Sequence, residues 1–187
     1  MIEFERTLPK TIQFSGHFYK IQNFDNSFKI IRDELIKMTR NHCSYCNCLL
    51  RISEYTPEIE HFIPKVIRPS FDKAWFNLFV SCPKCNKNKQ KNVWKYPPIK
   101  PLKPDSKHYK FKEFFRIDFE DGKLIPLNPS AKITIDWFGL NDIERCEARL
   151  REFEIFNEKQ DIEKIYHYSY PFFIEAAIKT NPIKSIK

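Results

Sequence analysis

Cys43-Ser44-Tyr45-Cys46 and Cys82-Pro83-Lys84-Cys85 are two C-x-x-C pairs with 35 residues between them, and the rest of this 187-residue chain can be organised around them. Each pair can present two thiolates from one tight turn, and two such turns close a tetrahedral zinc site. Binding a metal there contributes on the order of 10 kcal/mol to folding, because no such site exists in the unfolded chain. A thioredoxin-like redox pair needs only one C-x-x-C, so the doubled motif disfavours it. Five of the six cysteines fall in one stretch, which argues for metal over a disulfide framework. Cys43, Cys46, Cys82 and Cys85 are therefore the expected ligands of a structural Zn2+. Cys48 is a spare, more simply a buried or idle thiol than a ligand. Cys146 sits among apolar residues of a charged helix and reads as core. Zinc alone names no activity, since knuckles of this spacing serve nucleic-acid binders, adaptors and enzyme scaffolds alike.

Upstream of the first pair, Phe24, Phe28, Ile31, Leu35 and Met38 step by four and three and predict one helical face. Asp25, Asn26 or Ser27 could cap its start, and Arg40 and Asn41 suit its end. The first twenty or so residues show no period and read as an irregular arm. Downstream, Tyr96 to Pro104 holds four prolines and predicts an extended connector. Asp121-Gly122 between Phe115–Phe119 and Lys123–Ile125 predicts a hairpin. Asn141 with Glu144 resembles a capping box opening a charged helix, with Ile143, Cys146, Leu150 and Phe153 on its inner side. A short helix is expected beyond Pro171. These readings divide the chain into an N-terminal arm and helix (1–42), a metal-bearing core (43–95) and an annex (96–187) packed with the core as one unit.

Eighteen phenylalanines supply a real hydrophobic core, and only three glycines argue against low complexity or a long flexible linker. The formal net charge of +8 allows an anionic partner, but a lysine-rich solubilising surface explains it equally well. The longest apolar stretches, such as Trp75 to Val80, are too short to span a bilayer. The charged opening Met1-Ile2-Glu3-Phe4-Glu5-Arg6 does not look like a signal peptide. A cytoplasmic protein with no membrane partner is the resulting expectation.

Between the cysteine pairs lie Glu60-His61-Phe62-Ile63-Pro64-Lys65 and Trp75-Phe76-Asn77-Leu78, and the second pair runs on into Asn86-Lys87-Asn88-Lys89. In this order the sequence resembles the HNH endonuclease family in its zinc-knuckle, ββα-metal form. The resemblance implies an α+β fold: a small ββα-metal core with a four-cysteine knuckle, an N-terminal helix and a mainly helical C-terminal annex. One strand would end near His61, Asn77 to Ser81 would form the second, and a helix would run from Pro83 to about Lys91. Phosphodiester hydrolysis needs an activated water and stabilised charge on the phosphoryl oxygens. Carried over from the family, His61 is the general base, which suits a side chain titrating near neutrality. Glu60 and Asn86 match the ligands of a catalytic Mg2+ or Mn2+, Asn86 standing where many members have His. Asn77 matches the residue that braces the loop and orients the base. Lys89, and with it Lys65, falls where a basic residue can touch substrate phosphate.

Beyond the core the chain looks like the PtuB-like HNH proteins of Septu and retron anti-phage systems. The softer signals are the opening hexapeptide, Trp75 to Cys82, Gly122-Lys123-Leu124-Ile125-Pro126, Gly139-Leu140-Asn141, and Arg145 and Arg149. This resemblance implies a nuclease acting on DNA with an SMC/Rad50-like ATPase of the PtuA type, the residues from Lys107 onward serving as a docking annex. Two alternatives stand beside it: a non-catalytic zinc-knuckle module that binds nucleic acid or an adaptor partner, and an HNH nuclease whose substrate is RNA.

Overall fold

The α1 helix, Phe24–Met38, buries Ile31 and Leu35 of the expected apolar stripe and Ile36 beside them, while Phe28 and Met38 are half-buried. Its end is a left-handed turn at Arg40 and Asn41 (φ 49° and 61°), where the Asn41 amide donates to the Ile36 carbonyl at 2.9 Å. The computed structural model describes residues 14–15, 18–19, 24–50, 56–92, 101, 103, 111–159 and 174. Within the arm expected to be irregular, β1 (Phe14–Ser15) and β2 (Phe18–Tyr19) form a minimal antiparallel ladder. The expected tail helix and most of the proline-rich connector lie outside the described residues.

Past α1 the chain makes the first half of the knuckle. The Cys43 amide donates to the Cys48 carbonyl (2.9 Å), and Asn47 takes the left-handed conformation (φ 64°) that this tight return requires. Then β3 (Glu58–His61) pairs antiparallel with β4 (Leu78–Ser81), Glu60 opposite Phe79 and His61 opposite Leu78. The connection carries two single 3-10 turns, Pro69–Phe71 and Trp75–Asn77. Helix α2, Pro83–Asn92, follows β4 almost at once, with Pro83 at its first position, where no amide donor is needed. Strand, strand and helix thus fall where the sequence pattern places them.

The annex adds a four-residue helix, α3 (Phe111–Phe114), and the hairpin of β5 (Phe115–Ile117) and β6 (Leu124–Pro126), turning at Gly122 (φ 72°). A helix that sequence periodicity does not announce follows: α4, Pro129–Phe138. Its punctuation is plain in retrospect. Asn128 caps it by accepting from the Ala131 amide at 2.9 Å, Pro129 stands at the first turn, and Gly139 closes it in the left-handed conformation.

Two expectations about α5 (Ile143–Lys159) need correction. Asn141 does not cap it. Its side chain accepts from the Leu124 amide (2.9 Å) and donates to the Leu124 carbonyl (2.8 Å), latching the helix start to β6. Nor is Ile143 on the inner side, being 72% exposed. The buried face is rotated toward Arg145, Cys146, Arg149 and Phe156, because the two guanidinium groups find acceptors inside.

One hydrophobic core unites these parts, with α1 residues, Cys43, Trp75, Leu78, Val80 and Cys85 packed with Phe115, Leu124, Ile135, Trp137 and Phe138. Helix α4 lies against α2 and β6, and the Asn88 amide donates to the Phe138 carbonyl at 3.2 Å. Gly139 sits at this junction, and a Cβ there would come within 2.4 Å of Asn88 Nδ2 and 2.8 Å of the Asp142 carboxylate. Gly139→Ala combines that collision with a left-handed alanine and is expected to cost about 2 kcal/mol. A lower urea midpoint at unchanged slope would register it.

Candidate active site

The knuckle is closed by geometry alone. One sulfur from each of Cys43, Cys46, Cys82 and Cys85 lies within 4.8 Å of all the others, the sole such group of three or more potential ligands among the described residues. A tetrahedron with metal–sulfur bonds of about 2.3 Å has edges of about 3.8 Å. The Cys46 and Cys82 sulfurs are 3.8 Å apart. The sulfurs also accept backbone hydrogen bonds, Cys82 N to Cys43 Sγ and Cys85 N to Cys82 Sγ, both at 3.4 Å. Burial opposes ionisation of Cys43, but hydrogen bonding with the neighbouring thiols outweighs it and holds this thiol well below its ordinary value. The donor set fits Zn2+. Cys48 stays outside the group, and Cys146 is buried, its thiol directed at the Asn141 carbonyl (3.6 Å).

A further contributor was not expected from the motif. Arg145 of α5 is 4% exposed and directs Nη2 at Cys85 Sγ (3.2 Å) and Cys82 Sγ (3.8 Å). Its Nη1 donates to the carbonyls of Phe138 and Gly139, at the end of α4. Burial works against its charge, yet the four sulfurs more than offset this and raise its pKa. A guanidinium on the thiolates offsets their surplus negative charge, and its fork ties the annex to the knuckle.

The strand alternation of β3 sends Glu58 and Glu60 to one face and His61 to the other. On the first face, Glu60 is 3% exposed and bound on both oxygens: Oε2 accepts from the Tyr45 hydroxyl and Oε1 from Lys89 Nζ. Lys89 donates to the His61 carbonyl as well and is itself 3% exposed. It was expected to touch substrate phosphate; the structure instead encloses it in an ion pair, its pKa lowered by burial against the pull of Glu60. Tyr45, between two zinc ligands, stacks on Phe138 (centroids 4.0 Å, 16°). Burial and then the Glu60 charge raise its pKa, so it remains a donor. Asn86 turns its amide to Glu58 Oε2 at 2.6 Å. Glu60 and Asn86, expected to share a divalent ion, here have the two Glu60 oxygens engaged by Tyr45 and Lys89 and the Asn86 amide nitrogen engaged by Glu58.

On the other face, His61 Nε2 lies 2.8 Å from the Asp72 carbonyl and 3.1 Å from Asp72 Oδ1. Both neighbours are acceptors, so Nε2 carries the proton and Nδ1 is the basic nitrogen. Burial, the largest influence, lowers the His61 pKa, against the hydrogen bond to Asp72 that raises it. The ring is neutral near pH 7, the form a base requires. Lys65, expected at substrate phosphate, is 54% exposed and holds Asp72 Oδ1 at 2.6 Å. Asn77 is 1% exposed and braces both sides of this dyad. Its Oδ1 accepts from the Ile63 amide (2.7 Å), while Nδ2 donates to the carbonyls of Ile63 (3.1 Å) and Phe71 (3.2 Å). Ile63 is two residues from His61, and Phe71 adjoins Asp72.

Residues 43–92 match the family model described as HNH endonuclease. This segment is similar to HNH endonucleases. The chain is also similar to two proteins called Septu protein PtuB. It is 33% identical over 116 residues to one from Bacillus thuringiensis, covering 62% of this chain and 42% of the relative. With one from Bacillus mycoides (strain KBAB4) it shares 28% identity over 177 residues, covering 78% and 56%. The chain spans about half the length of the curated relatives it matches. No solved structure matches it. No helix among the described residues is long and apolar enough to cross a membrane.

Two outcomes are expected from this geometry. Metal analysis of the purified HNH chain should find one zinc per chain, and Cys85→Ser should lose it together with cooperative unfolding. Asn77→Ala strips buried backbone groups of their partners and should destabilise by roughly 2–3 kcal/mol in chemical denaturation.

Proposed function

We propose that this HNH chain is an endonuclease that hydrolyses phosphodiester bonds in DNA, with His61 as the general base. One observation carries the reading. His61 has its Nε2–H fixed by the Asp72 carbonyl at 2.8 Å, so its Nδ1 is held as a proton acceptor at the end of a ββα framework. A side chain oriented by one nitrogen and basic at the other is built for proton transfer. A zinc knuckle used only for binding has no need of it.

In the proposed reaction, His61 Nδ1 takes a proton from water as the water oxygen bonds to phosphorus. The bond from phosphorus to the 3′ oxygen breaks, and solvent returns a proton to that leaving oxygen. The products are a 5′-phosphate and a 3′-hydroxyl. Asn77 holds the two backbone segments that keep His61 and Asp72 together. Lys65 is the exposed cation beside the base and can meet substrate phosphate. Mg2+ or Mn2+ is the cofactor that the family implies. Glu60 and the Asn86 side-chain oxygen would hold it, Glu60 sharing its oxygens with Tyr45 and Lys89, and it would supply positive charge to the phosphoryl oxygens.

The likeness to Septu protein PtuB supports a place in anti-phage defence, in the cytoplasm, with an SMC/Rad50-like ATPase as partner and the annex as its docking region. The test is cleavage of supercoiled DNA, with total RNA in parallel, by zinc-loaded wild-type and His61→Ala protein in Mg2+, Mn2+ or EDTA. The expected result is DNA cutting that falls by 100-fold or more in the variant, within the range general-base catalysis contributes, while zinc content and melting are retained. Undiminished cutting by His61→Ala would remove His61 from the role of base. Cutting of RNA alone would reassign the substrate.

A further inference from the structure

One carboxylate oxygen beside the base lies within reach of both the imidazole and a lysine. Asp72 Oδ1 lies 3.1 Å from His61 Nε2 and 2.6 Å from Lys65 Nζ. The backbone carbonyl of Asp72 already fixes the imidazole, so the side chain is not needed to hold the ring in place. What the carboxylate adds is negative charge next to the nitrogen that shares the positive charge once the ring is protonated. Lys65 draws on the same oxygen. Its side chain is 54% exposed and that of Asp72 is 42% exposed, so their ion pair is the weak, solvent-screened kind that a phosphate can displace. Lys65 also opens a run of exposed residues, Lys65 to Ser70, on the approach to the site.

We propose that Asp72 is a positioning residue for the base and that Lys65 makes its action substrate-dependent. When a substrate phosphate takes the Lys65 ammonium, Oδ1, already 3.1 Å from His61 Nε2, no longer shares its charge with a lysine, and the imidazolium formed during water activation is held by a stronger charge-assisted contact. When no substrate is bound, Lys65 keeps that oxygen engaged and the base is less supported. The inference rests on the reading of His61 as the base, and it adds to that reading a carboxylate and a trigger. Asp72 is brought to the base by the 3-10 turn Pro69–Phe71, whose last carbonyl Asn77 holds.

The experiment is steady-state cleavage of supercoiled DNA by the full zinc-loaded chain and by Asp72→Asn, Asp72→Glu, Lys65→Gln and His61→Ala. All these positions leave the knuckle ligands and the Asp72 carbonyl intact, and zinc content and melting temperature check each variant. Asp72→Asn is expected to lower kcat about 10- to 100-fold with KM within about twofold, the split of a group acting in the transition state. Asp72→Glu is expected to recover part of that loss, because the charge is retained. Lys65→Gln is expected to act mainly on KM, raising it about tenfold and making its dependence on salt shallower by about one phosphate contact. Wild-type kcat in Asp72→Asn, with His61→Ala inactive, would overturn the role of Asp72 and leave the base assignment standing. A Lys65→Gln defect confined to kcat would overturn the trigger, since Lys65 would then only anchor Asp72. Full cutting by His61→Ala, or none by the wild type, would remove the base and this proposal with it.

Discussion

Four sulfurs drawn into one buried cluster set the position of nearly everything else in this chain. Cys82 follows β4 directly and Cys85 lies in the first turn of α2, so the cluster fixes the strand-to-helix corner. Cys43 and Cys46 come from the return after α1, and the Ser44 amide donates to the Val80 carbonyl at 3.0 Å, which lays that return on β4. Tyr45 lies between those two ligands, and its hydroxyl reaches Glu60 in β3. Arg145 then closes the cluster from the annex. Without the metal these segments have little regular structure to hold them: β3 and β4 are four residues each, and an isolated two-stranded ladder is marginal in water.

The parts legible in the sequence were those whose physical requirement is local. Helix α1 shows its 3.6-residue stripe because it lies on a core with one face wet. The ligand spacing is legible because tetrahedral thiolate coordination needs two tight turns. The hairpin is legible through Asp121-Gly122, since a positive φ is needed there. Helix α4 is hidden because its apolar residues Ile133, Ile135, Trp137 and Phe138 fall in an alternating pattern that obscures helical period. Its terminal signals, Asn128-Pro129 and Gly139, were sufficient to find it. The inner face of α5 is not legible from apolar spacing, because two arginines define it, each with acceptors that only the folded chain supplies.

The site was harder to read, and the reason is pleating. Glu60 and His61 are neighbours in sequence, which invites their assignment to one cluster. In an extended strand neighbours point to opposite faces. Glu60 therefore meets Tyr45 and Lys89 beneath α2, while His61 meets the loop between the strands. Lys89 follows the same logic: three residues after Asn86 on α2, it points at the strand face that Glu58 and Glu60 share, not at solvent. Asp72 could not be picked out at all. It is eleven residues from His61, in a loop with no period, and the 3-10 turn Pro69–Phe71 braced by Asn77 brings it to the ring.

The same accounting alters what the charge of this chain means. Lys89, Arg145 and Arg149 are buried, and each is directed at internal acceptors: a carboxylate, thiolates and main-chain carbonyls. Zinc bound by four thiolates also lowers the formal charge by two relative to a count that treats cysteine as neutral. A formal charge of +8 therefore overstates what the surface offers an anion. What remains is better argued from position than from total. Lys65, Arg68 and Lys73 are exposed in the connection that carries Asp72, and Lys65 reaches the same Asp72 oxygen as His61. Positive charge placed there raises the local concentration of phosphate next to a neutral, oriented imidazole. It is this placement, more than basicity as such, that fits the site to a phosphate-bearing partner.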